Sequence, residues 1–115
     1  MQTSGGYFEE TAMQSAAVAQ GAGTVMYASQ TGGGQFTTAT FQVTGTFVAT
    51  VTFQGTVDGT NWVDLYTKNL ATGAEATTTT GTGIFRVVCH GLWQVRANVT
   101  AWTSGSVTVL GRAAA

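Results

Sequence analysis

The stretch 46–66, TFVATVTFQGTVDGTNWVDLY, constrains the fold of this chain more than any other segment. Apolar residues occupy every second position of its first half: Phe47, Ala49, Val51 and Phe53. This two-residue period predicts a β-strand with one buried face, because successive side chains of a strand point to opposite sides of a sheet. Asp58-Gly59 then supplies a tight turn, since glycine accepts the positive φ that such turns require, and 62–66 runs back. The stretch therefore predicts an antiparallel β-hairpin.

The chain from residue 24 onward reads as a series of short strands separated by turns that contain glycine, serine or asparagine. The predicted strands are 25–28, 36–44, 46–54, 62–66, 74–80, 83–89, 93–102 and 106–112. Seven or eight strands at this spacing, the Thr-rich 74–80 being the weakest, predict an all-β fold. We expect an antiparallel β-sandwich of the jelly-roll kind. An immunoglobulin-like strand order stays open, because periodicity does not give the order of strands.

Residues 1–23 differ in composition and predict a separate N-terminal segment before a β-sandwich domain at 24–115. The segment contains two adjacent aromatic residues, Tyr7 and Phe8, and an Ala- and Gln-rich run. Thr3 or Ser4 could cap a short helix here. Alternatively the segment is an extended arm that orders against a neighbouring subunit, with Tyr7 and Phe8 as its anchors, or a frayed terminus.

Charged residues make up only 8% of the chain, and the net charge is −1. The surface must therefore consist mainly of Thr, Ser, Gln, Asn and Ala, which suits a subunit that docks on neighbours with few charges to desolvate. The four basic residues are scattered along the sequence, so no patch for nucleic acid is visible. No apolar run is long enough to span a membrane, and the N-terminus lacks the basic and apolar regions of a signal peptide.

The only cysteine and the only histidine are adjacent, at Cys89 and His90. Neighbouring strand residues point to opposite faces, so the two cannot form the hydrogen-bonded pair that activates a thiolate. Cys89 shares a face with Phe85 and Val87, which predicts a buried structural thiol. We expect no catalytic residues and no enzymatic activity.

Oxygen ligands for a metal ion are few around the predicted turn. Asp58, Asn61 and Asp64 fall short of the six or more oxygens, often from several carboxylates, that calcium usually takes. We expect the Asp58 carboxylate to bond its own turn instead. No metal or other cofactor is predicted.

The predicted strand 93–102 carries a candidate contact surface on its polar face. Strict alternation places one set of residues in the core: Trp93, Val95, Ala97, Val99 and Ala101. Arg96, Asn98 and Trp102 then share the opposite face, where an exposed Trp could stack on a sugar or anchor an interface. A bulge or a covering loop would instead bring Trp102 inward. Trp62 is expected in the core if its strand is central.

Two segments carry a resemblance to known proteins. The segment 53–65, FQGTVDGTNWVDL, resembles a strand–DG–x–x–W–strand signature of phage virion proteins and galactose-binding-like jelly rolls. The run 83–113, GIFRVVCHGLWQVRANVTAWTSGSVTVLGRA, is similar to the end of small structural proteins of tailed bacteriophages, with a Gly-Leu turn, a V-R-x-x-V strand and a final hairpin. The resemblance implies a β-sandwich module carried on a virion. The galactose-binding-like families often hold calcium in a loop, and this chain shows no matching acidic loop.

These observations predict a non-enzymatic virion protein, foremost a capsid decoration subunit on the capsid exterior. Its partners would be the major capsid protein and further copies of itself, with a trimer expected because cyclic symmetry is the rule for such assemblies. A host-surface glycan is an alternative partner, through Arg96, Asn98 and Trp102. A tail, baseplate or connector component is a further alternative.

Overall fold

The computed structural model describes residues 8–29 and 36–114 of the chain, and within them it contains only β-strands. The strands are β1 (Phe8–Ala17), β2 (Met26–Tyr27), β3 (Thr38–Thr44), β4 (Phe47–Thr56), β5 (Val63–Asp64), β6 (Thr67–Asn69), β7 (Glu75–Ala76), β8 (Thr78–Thr79), β9 (Gly83–Val88), β10 (Gln94–Gly105) and β11 (Val107–Ala114). The predicted all-β class is confirmed. The predicted number of strands is too low, because β1 and β6 were not expected and the run 74–80 divides into β7 and β8.

The strands form two antiparallel sheets. One is six-stranded, in the order β1-β11-β3-β9-β6-β7, and the other is five-stranded, in the order β2-β10-β4-β5 with β8 also paired to β4. The two sheets pack face to face as a sandwich, which confirms the predicted architecture. No helix in the described ranges is long and apolar enough to cross a membrane.

The core lies between the sheets and is built from the alternating apolar positions of the long strands. Phe53 of β4 packs on Phe41 and Phe85 of the opposite sheet, with ring centroids 4.8 and 5.2 Å away. Ala49 and Val51 of β4 are buried beside it, as the two-residue period of the hairpin predicts. Burial of such side chains is the main contribution to the stability of a domain of this size.

Strand β1 occupies an edge of the six-stranded sheet, antiparallel to β11. The short helix that was one alternative for the N-terminal segment is therefore wrong for residues 8–17, because pairing with β11 outweighs a helix propensity that no apolar 3.6-residue period supports. Met13 is buried in the core, and the Gln14 side-chain amide donates to the carbonyls of Gly21 and Ala97 at 2.9 and 2.8 Å. Tyr7, one of the two predicted arm anchors, lies outside the described residues. Contact of the segment with a neighbouring subunit stays a prediction.

Candidate functional site

Arg96 and Asn98 lie side by side on the outer face of the five-stranded sheet, the face turned away from the core. The alternation of β10 buries Val95, Ala97 and Val99, so the residues between them point outward and are half-buried. In the register of β10 against β4, Arg96 lies opposite Gln54. The structure therefore brings together two of the three residues that the sequence assigned to a contact surface.

Gln54 joins these side chains into one hydrogen-bonded network. Its Oε1 accepts from Arg96 Nε at 2.8 Å and from Asn98 Nδ2 at 3.3 Å. Its Nε2 donates to Asp64 Oδ1 at 3.0 Å, because β5 pairs with β4 and places Asp64 opposite Gln54. The single amide thus fixes three side chains from the two neighbouring strands.

Trp62, which immediately precedes β5, completes this group. The Arg96 guanidinium lies over the indole ring, with Cζ 4.0 Å from the ring centroid. A cation held over an aromatic face at this distance is attracted by the ring quadrupole. Burial lowers the pKa of Arg96, although an arginine stays charged in proteins. We call these five residues the Arg96 network: Gln54, Trp62, Asp64, Arg96 and Asn98.

Trp102 does not belong to this network. The register of β10 against β4 shifts between Val99 and Ala101, so Thr100 is an extra residue in a β-bulge. The bulge reverses the alternation: Ala101 is exposed, whereas Trp102 is partly buried and packs against the core. The Trp102 indole N–H donates to the carbonyl of Gly105 at 3.1 Å. The core position predicted for Ala101 is therefore wrong, and Trp102 takes the inward position that the bulge alternative described.

Trp93 also departs from its predicted core position, since it is 38% exposed. Its backbone precedes β10 and bonds to Thr56, and its ring covers Gly59 in the turn. A Cβ added at Gly59 would lie 2.5 Å from the ring, and this glycine has φ +81°, so the turn requires glycine. Tyr27 packs edge-on against Trp93, with centroids 5.9 Å apart. The Trp93 ring thus packs between the hairpin turn at Gly59 and Tyr27 at the end of the sandwich.

Asp58 organises that turn, as predicted. Its Oδ1 accepts from the backbone N–H groups of Thr60 and Asn61, both at 2.8 Å, and from Thr56 Oγ1 at 3.0 Å. Its Oδ2 accepts from Asn61 Nδ2 at 2.7 Å. These donors, foremost the backbone N–H of Asn61, hold the pKa of Asp58 well below its ordinary value. In the part of the chain that the structure describes, no three His, Cys, Asp or Glu side chains are grouped so as to hold a metal ion.

Cys89 is buried and His90 is exposed, but strand β9 ends at Val88, so the two residues lie in the turn that follows it and not on opposite faces of one strand. The thiol lies 3.6 Å from the carbonyl of Phe36, and burial raises its pKa. A thiol in this environment is held in its unreactive protonated form. The predicted burial of Cys89 is confirmed.

The outer face of the six-stranded sheet has a different character. The registers of its strands place six residues in one row across the sheet: Glu10, Arg112, Thr40, Arg86, Lys68 and Glu75. Three of the four basic residues, which are scattered in the sequence, thus share one row. Among the described residues, the side chains of Lys68 and Arg86 have no hydrogen bond or ion pair, although they face each other directly. An open hollow of about 410 Å³ lies beside them, bordered by Tyr66.

Sequence reasoning missed Trp62 as a partner of Arg96. The two residues are far apart in the chain, and they meet only because β4 lies between β10 and β5. A signal existed in the hairpin itself, since 62–66 was expected to pair with 46–54. The pairing of β4 with β10 was the missing information.

No protein-family model matches the chain, and no curated protein matches it in sequence. Solved structures do share its fold. The SPBc2 prophage-derived protein YomS superposes with a TM-score of 0.83 over 94% of this chain and 93% of YomS, at 19% sequence identity. The PBSX exported protein XepA superposes with a TM-score of 0.85 over 94% of this chain, at 15% identity, but the match covers only 38% of XepA. The chain thus shares the fold of most of YomS and of one part of XepA.

Proposed function

We propose that the protein is a non-enzymatic structural component of a bacteriophage virion, and specifically a capsid decoration subunit on the capsid exterior. The observation that carries the proposal is the end-to-end likeness of fold to a prophage-derived protein of similar extent. A second phage-derived protein, described as exported, contains the same fold as one of its parts. The likeness of segments 53–65 and 83–113 to phage structural proteins points the same way.

The exposed surface supports a docking role. Apolar side chains stand exposed around the β4–β5 end of the sandwich, including Val57 at 69% and Val63 at 64%. They border an open groove of about 470 Å³, whose other apolar walls are Leu65 and Leu92. Since few charges surround this groove, covering it against a capsid would remove apolar surface from water at a small desolvation cost.

The proposed partners are the major capsid protein and further copies of the chain. A decoration subunit would sit where capsid subunits meet and hold neighbours together against internal pressure. A trimer at local threefold positions is the assembly that we propose, because closed cyclic symmetry matches the symmetry of such positions.

The test is reconstitution on undecorated capsids of the phage that encodes the protein. We expect saturable binding at a fixed number of copies per capsid, together with a higher temperature of capsid disruption. The variant Val57→Ser/Val63→Ser should bind more weakly, whereas Val88→Ser, which removes an equally exposed valine from the opposite sheet, is the matched control. Absence of saturable binding by the unmodified protein would contradict the proposal.

A tail, baseplate or connector component is the second candidate, and the same fold supports it. The number of copies in the virion separates the two, measured by quantitative gel staining or by image reconstruction. Hundreds of copies would favour decoration. A handful would favour a tail or vertex position.

A further inference from the structure

We propose that the Arg96 network is a binding site for a neutral saccharide. The proposal is independent of the capsid role, because it concerns the outer face of the five-stranded sheet and a small ligand. The sequence predicted a possible sugar contact through Trp102 together with Arg96 and Asn98. In the structure the tryptophan beside Arg96 is Trp62.

The first argument is that the network leaves both donors and acceptors unused. Within residues 8–29 and 36–114, hydrogen bonds engage only one oxygen of Asp64 and only the Nε of Arg96, and none engages the amide oxygen of Asn98. No buried side-chain nitrogen or oxygen in the described residues lacks a partner, so these remaining atoms of the half-buried Arg96 and Asn98 are reached by solvent. Asp64 itself is exposed.

The second argument is the chemistry that this set would recognise. A sugar hydroxyl donates and accepts at once, so it pairs with a surface that presents carboxylate and amide oxygens beside guanidinium N–H groups. The Arg96 guanidinium covers one face of the Trp62 indole, and the part of the half-buried ring that stays exposed adds apolar surface next to the polar atoms, suited to the C–H groups of a pyranose. One acidic and one basic side chain cancel in charge, which favours a neutral ligand over a sulfated, phosphorylated or sialylated one.

The third argument is preorganisation. Gln54 holds Arg96, Asn98 and Asp64 in place through bonds of 2.8, 3.3 and 3.0 Å, and the Trp62 ring backs the guanidinium at 4.0 Å. The loss of side-chain freedom that a ligand would otherwise impose has already occurred on folding. An open surface of this kind gives weak binding to a single sugar, on the order of millimolar, and gains from multivalent display on an assembled particle.

The experiment is saturation-transfer NMR on the folded full chain with a panel of neutral hexoses and N-acetylhexosamines, followed by a glycan array with the protein displayed in many copies. Sialylated and sulfated glycans form a separate arm. We expect the unmodified protein to bind at least one neutral sugar and to prefer it over its acidic counterparts.

Two variants locate the site. Asp64→Asn keeps the acceptor for Gln54 and removes the charge and one free acceptor oxygen, and Trp62→Ala removes the ring. Each should weaken binding by about tenfold. Glu75→Gln makes the same chemical change as Asp64→Asn on the other sheet, and Trp102→Phe alters the tryptophan that packs on the core; both should bind like the unmodified protein. If Trp62→Ala does not fold, Trp62→Leu and the Asp64→Asn result decide instead.

The proposal is overturned if the unmodified protein binds no neutral sugar in either format. It is also overturned if binding is restricted to acidic glycans, or if Asp64→Asn and Trp62→Ala bind as tightly as the two controls. Asp64→Asn keeps the size of its side chain and leaves the apolar groove around Val63 intact, so this variant should retain capsid binding. Failure of the saccharide site and failure of the capsid role are therefore separable.

Discussion

Arg96 and Arg86 both lie on long strands and both point away from the core, yet the two sheets give them different surroundings. Arg96 bonds Gln54 and stacks on Trp62, and it belongs to a group in which every member touches another. Arg86 faces Lys68 across the strands, and neither side chain has a hydrogen bond or ion pair among the described residues. The comparison shows that alternation along a strand determines whether a residue points inward or outward. The side chains that it contacts there are determined by which strands lie next to it in the sheet. Three tests measure how much that difference contributes to stability, and a further test concerns the Asp58 turn at the end of the five-stranded sheet.

Loss of the central amide should have the largest effect. Gln54→Leu leaves the guanidinium, the Asn98 amide and the Asp64 carboxylate without their shared partner, so we expect the free energy of unfolding to fall by about 1–3 kcal/mol. Gln42→Leu is the matched control, because Gln42 lies on the outer face of the other sheet beside Ile84 and Leu110. It should change stability by no more than about 0.5 kcal/mol, or raise it. Urea unfolding measures the stability of both variants. Equal losses of unfolding free energy would show that the outer faces of the two sheets do not differ in this respect.

Replacement of the two arginines compares them directly. Arg96→Met keeps a long apolar stem but loses the cation–π contact and the bond to Gln54, so a loss of about 1–2 kcal/mol is expected. Arg86→Met relieves the repulsion from Lys68 and should cost nothing or stabilise slightly. Thermal and urea unfolding at low ionic strength provide the measurement. A larger loss for Arg86→Met than for Arg96→Met would contradict the comparison.

The Asp58 turn adds a pH dependence at the end of the five-stranded sheet. Because the pKa of Asp58 is lower in the folded than in the unfolded protein, its contribution is complete above the unfolded value of about 3.9 and is lost as the pH falls below it. Asp58→Asn should therefore be less stable than the unmodified protein at pH 7, and the gap should narrow towards pH 2. Urea unfolding at both pH values checks this. A gap that stays constant would show that the charge on Asp58 does not stabilise the turn.

The coupling between Lys68 and Arg86 should be the smallest effect. A double-mutant cycle with Lys68→Gln and Arg86→Gln isolates the pair, which we expect to be unfavourable by about 0.2–1 kcal/mol and weaker at high salt. A favourable coupling energy would mean that the two cations share an anionic partner in solution.

The sequence predicted the faces of strands better than their neighbours. The two-residue alternation of β4 correctly predicted its core positions. The alternation in the first half of β10 correctly predicted that Arg96 and Asn98 point outward. The order β2-β10-β4-β5 was not predictable, because it depends on contacts between distant segments, and so Trp62 could not be assigned to Arg96. The strand β1 escaped prediction for the same reason, since its partner β11 lies at the other end of the chain.

Irregularities of a strand form the second limit. Nothing in the residues around Thr100 distinguishes a regular strand from a bulged one, and one extra residue is enough to exchange the sides of Ala101 and Trp102. The turn of the hairpin was predicted correctly, because Asp58 and Gly59 act through local bonds and a local φ.

The bulge at Thr100 also bears on how the length of this strand can change in evolution. Because Thr100 and Ala101 together oppose a single position of β4, loss of Thr100 by a single-codon deletion would leave Val99 and Trp102 on the faces that they already occupy. The deletion would remove the hydrogen bond of 2.9 Å between the hydroxyl groups of Thr100 and Thr52. Chains that share this fold can therefore differ by a gap inside a central strand, a place where alignment methods penalise gaps most heavily.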